Sequence, residues 1–286
     1  IGTHGVKMAN AAVNECDVLF LVGARVGDRA VKTPLALEKT TKIIHIDIDP
    51  AEIGKNIGAD LPLVGDAKLV LQQMTELAKP MKHDEWIAHI KTLGGERKYV
   101  EPAKGTVNPR VFIDRLAKKM PANVTVVADV GQNQIWTCTE YKFRKEGRLL
   151  TSGGMGTMGY SVPAAIGAKM ADNSRATVAI CGDGAFQMSF MELATAVQFG
   201  VDIKVVVMTN NRLGMVRELQ TNGYHDRQTA VFLDGSPDFI KLAEAYGIPA
   251  MRVYDDDTME KGVEMLAEHK GICLVEVVVD KDMPTL

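Results

Sequence analysis

Six strand-sized runs of almost purely apolar residues constrain the fold more than any other feature of this sequence. They fall at residues 18–22, 43–48, 124–128, 176–181, 203–208 and 272–279. A strand buried on both faces carries apolar side chains at nearly every position, and such strands belong to parallel sheets covered by helices on both sides. Helical patterns lie between the runs. Phe190, Leu193, Ala194 and Val197 follow i, i+3, i+4, i+7 spacing and predict one apolar stripe. Phe239, Leu242, Ala243 and Tyr246 repeat the pattern, with Ser236 as the expected N-cap, Pro237 in the first turn and Gly247 past the end. Asn108-Pro109 predicts a further helix start, running to Met120. This alternation predicts an α/β fold made of doubly wound parallel sheets.

A length of 286 residues allows one large domain or two smaller ones, at ~100–200 residues per domain. Between residues 79 and 107 the apolar runs stop and two Pro, several Lys and Glu, and Gly94-Gly95 appear. This stretch reads as an interdomain connection, partly helical around residues 86–93. The expected divisions are 1–80, a linker over 81–107, and 108–286. Eighty residues are few for a doubly wound domain, and the sequence opens without Met at Ile1-Gly2-Thr3-His4-Gly5. The expectation is a piece of a longer chain.

Composition excludes several classes of function. Net charge is −3 and aromatics make up 6%, which leaves no basic footprint or stacking platform for nucleic acid. No run approaches the ~20 apolar residues of a membrane helix. Cys16, Cys138, Cys181 and Cys273 form no C-x-x-C pair, and the expectation is a protein without a secretory leader. Reduced thiols in a cytoplasmic protein are the expectation.

In open α/β sheets ligands bind beyond the carboxyl ends of strands. Five of the apolar runs are followed there by Gly, Asp, Asn, Gln or Arg: Gly23-Ala24-Arg25, Asp47 with Asp49, Asp129 to Gln134, Gly182-Asp183-Gly184, and Thr209-Asn210-Asn211. Any one of these is an ordinary turn; five together predict a ligand-binding edge. Asp183 and Asn210 end neighbouring strand candidates and can converge. A carboxylate with an amide oxygen is a hard, oxygen-only pair suited to Mg²⁺ beside phosphates. Gly184 and Ala185 are small enough for backbone N–H groups to approach a diphosphate. A competing signal is the literal G-x-G-x-x-G at residues 154–159, which would point to a nicotinamide-dependent oxidoreductase.

The segments GDGAFQMSFMELATAVQFGVDIKVVVMTNN, TSGGMGTMGYSVPAAIGAKMA and NNRLGMVRELQ resemble the acetolactate synthase (acetohydroxyacid synthase) large-subunit family of thiamin-diphosphate enzymes. GTHGVKMANAAVNECDVLFLVGAR and IIHIDIDPAEIGKN resemble that family's central domain. The resemblance implies a partial central domain over 1–80, a domain binding the diphosphate end of thiamin diphosphate over 108–286, and an amino-terminal domain outside this sequence. It implies decarboxylation of pyruvate on the cofactor and condensation with a second 2-oxo acid, in branched-chain amino acid biosynthesis. Asp183, Asn210 and the carbonyl of Arg212 would hold Mg²⁺. Gln132 and Asn133 would face the diphosphate from the other side. Gly156, Gly182, Gly184, Ala185, Met188, Gly214 and Met215 would complete the cofactor site. Met158 would enforce the bent cofactor, and Leu219 would border the second substrate. The family's proton-transferring Glu lies in the absent domain, so this chain alone is expected to be inactive. A homodimer or homotetramer is implied, and a small regulatory subunit is a partner the resemblance allows.

Three positions depart from the family pattern. Asn133 stands in place of His, and Leu219 in place of Trp, which predicts weaker selection for 2-oxobutyrate. Val26-Gly27-Asp28-Arg29 keeps only part of the pattern after Arg25. The family's central domain binds a non-redox FAD, and the matching positions are His4, Gly23, Arg25, Asp47, Ile48 and Asp66. An Asp at a strand end can accept from an adenosine hydroxyl, and Arg25 can meet a pyrophosphate. Another carboligase or decarboxylase of the same fold, acting on sulfoacetaldehyde or glyoxylate, is the second reading; a non-catalytic scaffold is the third.

Overall fold

The computed structural model describes residues 1–2, 5–31, 33–94 and 99–285. The chain forms two compact units, Ile1–Arg97 and Lys98–Leu286. The first contains α1 (Lys7–Glu15), β1 (Val18–Val22), α2 (Pro34–Glu38), β2 (Lys42–Asp47), β3 (Leu61–Val64), α3 (Ala67–Leu77) and α4 (Asp84–Thr92). Its strands make a parallel sheet in the order β1-β2-β3, over a core that includes Leu21, Leu37, Ile43 and Ile57. β1 departs from the expectation of burial on both faces. It is the sheet's edge: Leu21 is buried, while Val18, Phe20 and Val22 are exposed. Within the stretch 81–107, α4 packs on α1, with His89 Nε2 2.6 Å from Glu15 Oε2.

The second unit contains α5 (Pro109–Lys119), β4 (Thr125–Ala128), α6 (Gln132–Glu140), β5 (Arg148–Thr151), α7 (Ser161–Ala171), β6 (Thr177–Gly182), α8 (Asp183–Gln187), α9 (Leu193–Gln198), β7 (Lys204–Thr209), α10 (Gly214–Gly223), α11 (Phe239–Ala245), β8 (Ala250–Val253), α12 (Asp256–Glu268) and β9 (Cys273–Val278). Six parallel strands lie in the order β5-β4-β6-β7-β9-β8. The apolar runs are the inner strands, buried along almost their whole length. One core layer holds Phe112, Trp136 and Leu266; the other holds Val162, Phe186 and Phe239. Helices cover both faces, as a doubly wound sheet requires. Among the described residues no helix is long and apolar enough to cross a membrane.

Local signals decide the helix ends. Asn108 caps α5, its side chain accepting the N–H groups of Arg110 and Val111. The cap expected at Ser236 lies instead at Asp238, whose carboxylate accepts from Ile240 and Lys241. The Ser236 hydroxyl donates to Leu233 O and accepts from Gln187 Nε2. The stripe expected over residues 190–197 is also rotated. A 3₁₀ turn, Phe190–Glu192, precedes α9, and its tighter winding buries Leu193 and Ala196 while Ala194 and Val197 face outward.

Candidate functional site

The carboxyl ends of β4, β6 and β7 lie side by side: Ala128 registers with Ile180, two residues before β6 ends, and Gly182 with Met208, one residue before β7 ends. The chain leaves β4 into the layer of Trp136 and β6 into the layer of Phe186. A crevice opens where the two diverge, the place at which doubly wound sheets bind ligands. It holds a cavity lined by the first turns of α6, α8 and α10, by Met158, and by the turn after β7.

Asp183 is the electrostatic centre of this cavity. It is only 2% exposed. Its Oδ1 accepts the Gly184 N–H at 2.8 Å, and its Oδ2 accepts those of Asn210 at 3.1 Å and Asn211 at 2.6 Å. The end of β6 thus staples the turn after β7, where Asn211 adopts φ 52°, a left-handed conformation that Asn tolerates. Burial pushes the Asp183 carboxyl up to about 6, against the opposing pull of the Asn211, Gly184 and Asn210 amides. None of those compensating groups is a cation.

Asn210 Oδ1 accepts the Arg212 N–H at 3.1 Å. Asp183 Oδ1 and Asn210 Oδ1 each keep a lone pair beyond the bonds named. Leu213 N donates to Val231 O, and Leu233 N to Asn211 O, so the bridge between Arg212 and Phe232 leaves the Arg212 carbonyl outside its ladder. The Arg212 guanidinium is turned to Asp234, at 2.8 Å, and to the Phe232 ring. Three hard oxygens and an uncompensated charge are a fit for a divalent cation that shares its shell with phosphate and water. Among the described residues no group of three His, Cys, Asp or Glu is arranged for a metal. A set with one carboxylate is suited to a cation whose other ligands come from a diphosphate.

Gln132 and Asn133 open α6, and both are buried. Asn133 Nδ2 donates to Asp129 O at 2.8 Å and Ile180 O at 3.1 Å. The donor expected to meet a phosphate is therefore engaged across the split between β4 and β6. Gln132 Oε1 accepts from Asn210 Nδ2 at 3.2 Å and occupies the space a Cβ on Gly214 would take. A Cβ on Gly184 would lie 2.7 Å from Leu213 Cδ2 and 3.6 Å from Met158 Cε. Met158 is half-buried and packs against the core layer of Phe186. Gly182, Ala185 and Met215 line the same cavity. Gly156 lies in an exposed turn, and Met188 and Leu219 are 60% and 61% exposed; none of the three lines it.

Asp129 is a residue that sequence reasoning placed at a strand end without assigning it work. Its buried carboxylate accepts the N–H groups of Gly159 at 3.0 Å and Ser161 at 2.7 Å. This overturns the dinucleotide reading of Gly154, Gly156 and Gly159. A pyrophosphate bound by that motif sits at the N-terminus of the following helix, and at α7 a carboxylate already holds that position.

In the first unit, Gly23, Asp47 and Asp66 follow or end β1, β2 and β3, so they share the carboxyl edge of that sheet. Asp47 Oδ1 accepts from Asp49 N at 2.9 Å, and Asp66 caps α3 through Leu69 N. Ile48 is exposed. The Arg25 carbonyl accepts from Asn56 Nδ2 at 2.7 Å. His4 lies outside the described residues.

Comparison with known proteins agrees with this geometry. Residues 129–277 match the family described as "Thiamine pyrophosphate enzyme, C-terminal TPP binding domain", and residues 1–74 match "Thiamine pyrophosphate enzyme, central domain". The chain is 39% identical to the probable acetolactate synthase large subunit of Methanocaldococcus jannaschii, covering 98% of this chain and 49% of the relative. It is 36% identical to the acetolactate synthase large subunit of Lactococcus lactis, again over 98% and 49%. It is 35% identical to the acetolactate synthase isozyme 2 large subunit of Escherichia coli, over 98% and 51%. The chain spans about half the length of the curated relatives it matches. With both domain patterns in place and the glycine-acid turn of β6 in the crevice, this chain belongs to the thiamine pyrophosphate enzyme family.

Proposed function

We propose that the protein carrying this sequence is an acetolactate synthase large subunit, which decarboxylates pyruvate and joins the two-carbon unit to a second 2-oxo acid in branched-chain amino acid biosynthesis. The observation that carries this is the convergence of Asp183, Asn210 and the Arg212 turn at the crevice, in a chain whose relatives bear that name. Thiamin diphosphate, when bound, supplies the electron sink for decarboxylation. The chain's own residues bind and orient. Asp183, Asn210 and the Arg212 carbonyl hold Mg²⁺, and the small residues Gly182, Gly184 and Ala185 let the backbone approach the diphosphate. Met158 excludes water from the apolar side of the cavity. Gln132, Gly214 and Met215 close its far wall, with Asn133 bracing the split behind it. Asp129 and Asp183 both have their carboxylates occupied by main-chain amides. Both are committed to holding main-chain turns, and Asp183 to the cation as well, which supports an acid–base group from outside this sequence and an inactive isolated chain.

The carboxyl edge of the first sheet, with Gly23, Arg25, Asp47, Ile48 and Asp66, is our candidate for a non-redox FAD. The exposed Gly156, Met188 and Leu219 are placed towards a second copy or the acceptor substrate, in a homodimer or homotetramer. The name large subunit, carried by the relatives, supports a small regulatory partner. We place the enzyme in the cytoplasm, in keeping with four free cysteines. Asn133 and Leu219 favour, as second reading, a sister carboligase with another acceptor.

The test uses the full-length protein with pyruvate, Mg²⁺ and thiamin diphosphate, with and without FAD and 2-oxobutyrate, and quantifies both acetohydroxy acids. Acetolactate is the expected product, at rates comparable to the 2-oxobutyrate adduct. Cofactor binding with neither product would transfer the protein to the sister carboligases. Strong preference for 2-oxobutyrate would remove Leu219 from acceptor selection.

A further inference from the structure

Helix α7 starts without a cap from its own turn. Tyr160 stands at the N-cap position and makes no side-chain cap, although the first N–H groups of a helix need an acceptor. The acceptor comes from β4 instead. Asp129 follows the last residue of that strand and is fully buried. Its Oδ2 accepts the N–H of Ser161, the first residue of α7, at 2.7 Å. Its Oδ1 accepts the N–H groups of Gly159 at 3.0 Å and Val130 at 2.9 Å. A carboxylate at a helix N-terminus is favoured by the helix dipole as well.

Met158 stands directly before this clamp. The turn upstream is held by Ser152, whose carbonyl accepts from Gly156 N at 2.9 Å and whose hydroxyl accepts from Thr157 N at 3.1 Å. Those bonds end at Thr157, on the exposed side of the turn. Gly159 then reverses the chain at φ 82°, a left-handed conformation that glycine adopts without a steric penalty. Met158 therefore spans the gap between the Ser152 turn and the Asp129 clamp. Its side chain lines the cavity and packs on the layer of Phe186. A methionine side chain is unbranched and adapts to the space it is given, so packing alone does not decide where it points. The position of its backbone decides, and that backbone is one residue from the Gly159 amide.

We infer that Asp129 is a positioning residue: by clamping the Gly159 and Ser161 amides to the end of β4, it holds Met158 against the ring-bearing half of thiamin diphosphate. The inference rests on the reading of the cavity proposed above. Asp129 does not line the cavity and acts only through the turn. The diphosphate half is held independently, since residues 183–184 and 210–212 are fixed by their own hydrogen bonds.

Two ligands separate the two halves. Inorganic diphosphate with Mg²⁺ tests the phosphate half alone, and thiamin diphosphate with Mg²⁺ tests both. The experiment titrates each, by calorimetry, into the full-length parent, Asp129→Asn, Met158→Ala and the double variant, alongside thermal midpoints. Asn keeps one acceptor oxygen and turns an NH₂ towards a main-chain N–H, which opens one arm of the clamp. Each single variant is expected to lose about tenfold in thiamin diphosphate affinity, the size of one apolar side chain's contact. Inorganic diphosphate should bind all four proteins within about threefold. The double variant should be within about threefold of Met158→Ala, because Asp129 has no route to the rings once Met158 is gone. A cap that served stability alone would lower the thermal midpoint and leave thiamin diphosphate affinity unchanged, or would weaken both ligands alike. Either result overturns the role, as do losses that add in the double variant. If Asp129→Asn does not fold, Asp129→Glu takes its place, keeping both acceptors but moving them by one methylene. Failure of both to fold assigns Asp129 to folding alone and overturns the role. Thiamin diphosphate binding by Met158→Ala at parent affinity removes Met158 from the rings and the inference with it, and leaves the phosphate half standing. A parent that binds neither ligand overturns the site itself.

Discussion

Asp183 sets the need for a negative charge against the difficulty of burying one. Burial raises its carboxyl from 3.8 to about 6. The folded state therefore binds this proton more tightly than the unfolded chain, and its stability falls as pH rises from about 4 to about 6. In the metal-free protein, Asp183→Asn should then raise stability by ~0.5–2 kcal/mol above pH 6, a gain typical of relieving a functional site. The gain should shrink towards pH 4 and vanish only below about pH 3, where both states of the parent are protonated. Thermal midpoints of parent and variant across that range check the sign. Mg²⁺ with thiamin diphosphate should raise the midpoint of the parent and leave that of the variant unmoved, because binding stabilises only a state that binds. Gly214 makes a second prediction at this scale. A methyl there would overlap Gln132 Oε1, so Gly214→Ala should weaken Mg²⁺-dependent cofactor binding by about tenfold or more, read by a binding titration. Asp183 and Asn210 were legible in the sequence because each follows an apolar run by a fixed step. The engagement of Asn133 Nδ2 by two carbonyls was not, since those carbonyls come from strands whose adjacency no local pattern encodes.

Among the elements, the inner strands could be read directly, because burial on both faces writes itself as an unbroken apolar run. Among the edge strands, β5 could be read only as a short, poorly apolar run, and β3 and β8 could not be read at all. Each is four residues long and partly exposed, so neither length nor alternation separates it from a loop. The insertion of β9 between β7 and β8 was equally hidden, since order along the chain does not fix order across a sheet. Caps are a middle case. Ser236 and Asp238 are both good capping residues, and Pro237 between them suits either helix start. Asp238 caps because its carboxylate reaches two amides and Arg252 Nη2, the last at 3.1 Å. Asp238→Ala should therefore destabilise the protein by ~1 kcal/mol or more. Ser236→Ala loses bonds to Leu233 and Gln187 but no cap, and should cost about half as much. Denaturant midpoints of the two variants decide the order.

At the scale of the whole molecule, the second unit displays apolar side chains beside its site. Met188, Met191, Val197 and Phe199 are between 44% and 64% exposed within one stretch of twelve residues. The stretch begins where α8 leaves Asp183, and the 3₁₀ turn is what rotates Val197 outward. Large exposed apolar patches mark interaction surfaces. The proposed function argues for the same surface, since it takes the acid–base group from outside this sequence. In the proposed homodimer a second copy would cover the patch and complete the reaction centre at one stroke. Phe199→Asp in the full-length protein should then lower the assembly state, measured by sedimentation, and abolish acetolactate formation. Residues 183–187 and 210–214 are held by hydrogen bonds within the unit, so Mn²⁺ binding by this variant should stay within about tenfold of the parent. Loss of metal binding and assembly together would instead mean that the patch supports the fold of the site. Unchanged assembly would move the subunit contact to another face.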